Sequence, residues 1–307
     1  MALTYDQLSS ITEKKFLPKA IDNIFDSNPL LQRMKSSGSY KKVDGGTSII
    51  QPLEYAMNGA GGWYSGAELL DTSDTEALTG AEFAWKQLYE NITITGADER
   101  KNSGDAAKVD LVKTKVKNAE KTMADRLGTG LYSASTVAKS IIGLGTIMST
   151  TTTAGGISGT DYSWWRAQID STTTTLTLSA LQAIYNSTSI GNDTPSVITS
   201  GRSRFNSFWN LLQPQQRFVD SKTADAGWSS LMFNGTPWIV DSHCGSAAIH
   251  MINEKYFSLV AHPQADFKFE AFLKPVNQDV RSAKILWMGA LVVSNRRMLG
   301  ALTAISA

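Results

Sequence analysis

The side chains with most chemical potential in this sequence are few. His243, Cys244 and His250 lie close together, and His262 is the only other histidine. Adjacent ligands on a strand point to opposite faces, and no second cysteine or clustered carboxylate completes a tetrahedral set, so no metal site is expected. Nothing beside Cys244 would lower its thiol pKa, and a buried inert thiol is the commoner role. Gly59-Ala60-Gly61-Gly62 lacks the lysine and the strand-to-helix setting of a phosphate loop. No nucleophile elbow, zinc-protease helix motif or P-loop occurs, so no catalytic residue and no cofactor are expected. Two surface features remain. Lys113, Lys117 and Lys121 repeat every four residues, which puts them on one helix face, either solvated or facing acidic groups of a partner. Trp63, Tyr64, Leu69, Leu70 and Leu78 stand in a glycine-rich stretch too poor in other apolar residues to bury them.

The element that must carry the lysine row is residues 103–131. Val109, Val112, Val116, Ala119, Met123, Leu127 and Leu131 recur at spacings of three and four, the period of one helical stripe. Ser103 is the expected N-cap, with Asp105 in the first turn, and Gly128 and Gly130 mark the expected end. About 25 helical residues make a rod of roughly 37 Å. Its stripe is narrow and built of small residues, so a sheet or loop should lie against it. This is the spine of the chain.

The apolar cluster belongs to residues 45–98. Thr47–Leu53 and Glu82–Thr95 read as strands, and a phase change between Tyr89 and Ile92 suggests a bulge. The loop between the strands exceeds 20 residues, unusual in a compact domain unless functional. It either folds back on its own domain or forms a long flap completed by another chain. Upstream, Thr4 with Gln7, the Ala20–Phe25 turn and Asn28-Pro29 suggest short helices, a packed pair or an arm reaching a neighbour. Downstream, residues 133–160 favour turns. Ser179 with Gln182 and then Ser200 read as helix N-caps. Asn234-Gly235 marks a hairpin. Short strands follow at 248–252, 267–272, 285–294 and 299–305. The class is α+β with an antiparallel bias.

Composition bounds the function. The 307 residues carry Lys+Arg 29 against Asp+Glu 28, a net charge of +1, without the basic excess of a phosphate-gripping protein. A single cysteine excludes an intrachain disulfide. No apolar run reaches membrane-span length and the N-terminus is no signal peptide, so a cytosolic product is expected.

The order of these parts resembles the major capsid proteins of tailed bacteriophages, a fold shared with encapsulins and the floor of herpesvirus capsids. The local resemblances are Ala124-Asp125-Arg126-Leu127-Gly128-Thr129-Gly130 running into Ile141-Ile142-Gly143-Leu144, and Tyr162-Ser163-Trp164-Trp165-Arg166-Ala167. They continue in Phe233-Asn234-Gly235-Thr236-Pro237-Trp238-Ile239-Val240-Asp241 and Leu291-Val292-Val293-Ser294-Asn295-Arg296-Arg297-Met298-Leu299-Gly300. The resemblance implies an N-terminal arm (1–44), an extended two-stranded E-loop (45–98), a peripheral P domain (99–136 and 266–307) with spine helix 103–131, and an axial A domain (137–265). It implies a structural protein that assembles with itself into hexamers and pentamers of an icosahedral shell around double-stranded DNA. Such a shell forms in the host bacterial cytoplasm and becomes part of the virion. Trp63, Tyr64, Leu69, Leu70, Leu78, Lys113, Lys117 and Lys121 are then the candidate subunit-interface residues. A separate scaffolding protein, a portal protein and decoration proteins are the implied partners, with no maturation cleavage expected and no membrane. An encapsulin-like shell enclosing cargo enzymes is the alternative.

Overall fold

The computed structural model describes residues 28–101, 105–134, 139–212 and 231–306. The expected helices before Asn28 and the Ser103 cap lie outside these residues. The spine helix spans Asp105–Tyr132. From Val112 onward its buried stripe is Val112, Val116, Ala119, Met123, Leu127 and Leu131, as the periodicity requires. The lysine between the stripe residues is less exposed than its spacing suggests: Lys115 is half-buried and its Nζ donates to the Thr93 carbonyl at 2.8 Å.

The helix does not end at its glycines. It runs through Tyr132, and Gly128 serves a close approach instead. A Cβ there would sit 2.4 Å from Asn28 Oδ1 and 2.7 Å from the His243 ring. Asn28 begins the helix Pro29–Ser36 but makes no side-chain cap; its Nδ2 donates to the Ala124 carbonyl of the spine at 2.9 Å. Three chain segments therefore meet at one residue without a side chain.

In chain order, β1 is Tyr40–Lys42, β2 Ser48–Glu54, β3 Leu78–Ala84 and β4 Lys86–Thr95. The hairpin β5 (Thr153–Ala154) and β6 (Ile157–Ser158) follows the spine, then β7 (Gln168–Asp170) and β8 (Val197–Ser200). Strands β9 (Met232–Phe233), β10 (Thr236–Val240), β11 (Ile249–Ile252) and β12 (Phe257–Ala261) lead to β13 (Lys268–Leu273), β14 (Val280–Val293) and β15 (Leu299–Leu302).

The first sheet has the order β1-β12-β14-β13, with β4 paired to β14 in unbroken antiparallel register from Thr95↔Val280 to Lys86↔Gly289. The expected bulge in β4 is absent. Within β4 the alternation is continuous, with Tyr89 on the exposed face; the phase shifts earlier, at Trp85, where the chain changes sheet. The chain leaves β3 at Ala84, turns at Trp85, whose Nε1 donates to the Gly46 carbonyl at 3.1 Å, and enters another ladder. Ile92 and Ile94 of β4 with Ile285 and Trp287 of β14 pack into one core with the spine stripe.

The second sheet has the order β7-β15-β11-β8-β10-β9. Helices Leu178–Ser187 and Arg202–Leu212 contribute Leu181, Ile184 and Phe208 to its core. The Asn234-Gly235 turn has φ of 50° and 79°, the positive pair a two-residue hairpin demands. Both expected N-caps shift. Thr177, not Ser179, accepts from the Ala180 N–H at 3.1 Å. Ser200 is buried and accepts from Trp238 Nε1 at 2.7 Å, so the indole takes the hydroxyl from the helix.

β12 lies with the spine sheet, β15 with the second, and β4 leaves the flap for the spine sheet. The chain crosses between the two larger sheets three times, after β4, after β11 and after β14. Apart from β4 and β14 the strands are of seven residues or fewer and need partners from distant segments.

Candidate assembly surfaces

The flap is a two-stranded ladder, Ser48↔Ala84 to Glu54↔Leu78, joined by residues 55–77. Its base is anchored. Leu53, Ala81 and Phe83 are buried against Trp165, Val260, Ala290 and Val292. The β5–β6 turn locks on from the side. Glu82 donates its N–H to the Gly155 carbonyl at 2.9 Å, and a Cβ on Gly155 would lie 2.7 Å from that of Ala81. Gly155 also needs its φ of +61°, so glycine is required twice over. Tyr55 closes the base by stacking on Trp164, with ring centroids 5.3 Å apart.

Beyond that base the large apolar side chains of the flap stand uncovered among the described residues. Trp63 is 105% exposed and Leu69 102%, and Tyr64, Leu70, Leu78 and Met57 are exposed as well. Lys113, Lys117 and Lys121 are exposed along the spine and form no ion pair among the described residues. These are the eight residues singled out from the sequence. They fall into two separate surfaces rather than one site. A third surface was not foreseen: an open groove of about 560 Å³ on the solvent face of β4 and β14, lined by Leu88, Tyr89, Leu286 and Met288.

The candidate chemical groups are placed in structural roles. His250 is buried with Nδ1–H donating to Met148 Sδ at 3.2 Å, and burial pulls its pKa down to about 4. Cys244 is buried, and desolvation with the nearby Asp241 carboxylate pushes its thiol up to about 12, far from a thiolate nucleophile at neutral pH. His243 lies between Asp241 (Nδ1, 3.0 Å) and Asp125 of the spine (Nε2, 3.1 Å), while the Tyr132 hydroxyl donates to Asp241 at 3.2 Å. Among the described residues no group of three or more metal-ligating side chains occurs. His250 carries a pH signature. Its folded-state pKa lies below the ordinary 6.5, so the stability that a neutral imidazole permits is present above that value. It is lost as pH falls toward 4. His250→Leu should flatten the acid side of the thermal stability profile between those values, read by melting at stepped pH.

Arg296 escaped the sequence reading. It is fully buried, with Nε donating to the Ile147 carbonyl at 2.9 Å, Nη1 to Thr152 at 3.0 Å and Nη2 to Ser149 at 2.8 Å. Its guanidinium lies 5.9 Å from the Trp165 ring, under the flap base, and burial lowers its pKa to about 10. A buried cation held by carbonyl dipoles fixes the loop that carries β5. Nothing in the Asn295-Arg296-Arg297 string separates this arginine from its neighbour; only the fold does.

No family model and no curated protein matches the chain. Solved structures do. Over 92% of this chain and 93% of the other, the structure is similar to the capsid asymmetric unit of cyanophage A-1(L), with TM-score 0.70 and 17% identity. It is similar to the capsid of a native GTA particle over 88% and 89%, with TM-score 0.60 and 12% identity. Similarity extends to the SrpI encapsulin of Synechococcus elongatus PCC 7942 over 89% and 87%, with TM-score 0.51 and 10% identity. The chain has the α+β capsid-shell fold, along almost its whole length.

Proposed function

We propose that this chain is a major capsid protein of tailed-phage type, a structural subunit that assembles with itself into hexamers and pentamers of an icosahedral shell. The observation that carries the reading is the flap. A capsid-shell fold supports a ladder rigidly anchored at its base and apolar at a tip that its own chain leaves bare. An exposed patch of that size marks an interaction surface. A ring of copies supplies the cover through head-to-tail contacts. The near-zero net charge suits a wall enclosing double-stranded DNA that must slide past it without sequence-specific binding. Scaffolding, portal and decoration proteins are the partners that such a shell needs, and the virion is its place.

Native material should sediment as megadalton particles together with capsomers, and negative-stain images should show closed shells. A monomer or dimer that turns over a substrate would overturn the proposal. The likeness to an encapsulin supports a second reading, a shell around cargo enzymes. Nuclease-protected double-stranded DNA inside the particles supports the capsid reading, and protected protein cargo without DNA supports the second.

A further inference from the structure

His243 faces a carboxylate with each ring nitrogen, and the two carboxylates belong to different layers of the molecule. The ring stands in the turn between β10 and β11 of the second sheet. Its Nδ1 lies 3.0 Å from Asp241 Oδ1 in the same turn, and its Nε2 lies 3.1 Å from Asp125 Oδ1 on the spine. An ionised carboxylate only accepts, whereas a neutral imidazole has a single N–H to donate. Asp241 is the buried partner, its side chain 1% exposed against 75% for Asp125, so the one N–H of a neutral ring goes to Asp241. The neutral ring then turns the lone pair of Nε2 toward the Asp125 carboxylate. Only the doubly protonated ring donates to both. The turn rests directly on the spine backbone here, since a Cβ on Gly128 would lie 2.7 Å from the ring. It is also tied to the rest of its own layer, where Arg204 Nε donates to the Ser246 carbonyl at 2.6 Å.

From this geometry we infer that His243 is a proton-operated latch: the doubly protonated ring closes the β10–β11 turn on the spine, and loss of the Nε2 proton releases the turn from Asp125. The closed state holds one more proton than the released one. It is therefore favoured as pH falls through the imidazole range and lost as pH rises through it. That sign is opposite to the one set by His250, whose contribution is lost toward acid. Tyr132 and Cys244 lie close to Asp241, and burial, then the Asp241 charge, pushes both upward, the thiol to about 12. His250, with its ring 5.8 Å from that of Tyr132, is pulled down to about 4 by burial. None of these three changes charge near neutral pH. The remaining charges around the ring lie on the spine. Lys121 stands one turn before Asp125, Arg126 pairs with Glu90 of β4 at 2.8 Å, and Glu120 is buried two turns before Gly128. Asn28 brings a neutral amide from the helix it begins. The Tyr132 hydroxyl keeps its 3.2 Å contact with Asp241 in either state, so release frees the His243 tip of the turn and leaves its root in place.

The test is hydrogen exchange on the full chain from about pH 5.5 to about pH 8, either side of the ordinary imidazole value near 6.5. Rates are corrected at each pH for the intrinsic rate and read on residues 241–246, with the buried strand β8 as internal reference. In the wild type, protection of 241–246 should fall about threefold across that range, the size of a partly exposed charge pair, while β8 stays constant. Asp125→Asn is the decisive variant. Its amide donates to an unprotonated Nε2 and its oxygen accepts from a protonated one, so protection should hold across the range. Asp125→Ala should be weakly protected throughout, and His243→Gln, which has no titrating ring, should show no pH dependence. Circular dichroism checks that each variant folds. Constant protection in the wild type overturns the inference. So does Asp125→Asn with the wild-type pH dependence, which would assign that dependence to another group. Should His243→Gln unfold, the Asp125 variants, changed at an exposed position, decide the matter alone. The latch belongs to one chain and does not rest on the shell reading. A chain that forms no shells leaves it standing, and its failure leaves the shell reading standing.

Discussion

Val116→Pro abolishes folding of the subunit. Val116 sits mid-spine, 2% exposed, in one core with Met123, Ile92 and Ile285. Proline removes the amide donor there and its ring strikes the carbonyl one turn earlier, at a cost of about 3 kcal/mol or more. The kink also lifts the stripe from β4 and β14, and loss of packed aliphatic contacts adds about 2 kcal/mol or more. Together these approach the whole stability of an ordinary domain. The expected result is insoluble or unfolded material by circular dichroism. The control is Lys117→Ala, exposed and unpaired among the described residues, which should change stability by no more than about 0.5 kcal/mol. Lys115 is unsuitable as that control, because its ammonium satisfies the Thr93 carbonyl. Equal folding of the proline and alanine variants would falsify the central position given to the spine.

The second large effect is on assembly and leaves folding intact. Replacing residues 59–79 by a short Gly/Ser turn should give folded subunits that do not close shells. The deletion removes Trp63, Tyr64, Leu69, Leu70 and Leu78, all exposed, and spares Phe83, Ala81 and Tyr55 at the base. Nothing buried in the isolated chain is lost, so the melting temperature should hold nearly constant. Each removed side chain is worth roughly 1.5–3 kcal/mol when buried against a neighbour, and several per subunit decide association. Circular dichroism and light scattering on one preparation separate the outcomes. Normal particles would show that the flap takes no part in closure, and unfolded protein would show that it packs on its own subunit.

The sequence by itself determined the elements whose signal is local. The three-and-four spacing from Val112 to Leu131 specified the spine, because one amphipathic stripe needs only one helix to express it. Asn234-Gly235 specified its hairpin, because few other pairs tolerate two positive φ values. The bare apolar residues of the flap were legible as well, since a stretch so rich in glycine has nothing to bury them with. Only the tertiary structure decided what depends on distant partners. Gly128 reads as a helix end until Asn28 and His243 arrive at its missing side chain. Ser200 reads as a cap until the Trp238 indole claims its hydroxyl. The bulge in β4 dissolves once β3 and β4 are seen to join different sheets. Nothing local marks Arg296 as buried; the carbonyls of Ile147, Ser149 and Thr152, more than 140 residues away along the chain, close around it. Periodicity reports which face of an element is apolar. Which segment then occupies that face is settled by packing among residues far apart in sequence, and no local pattern encodes it.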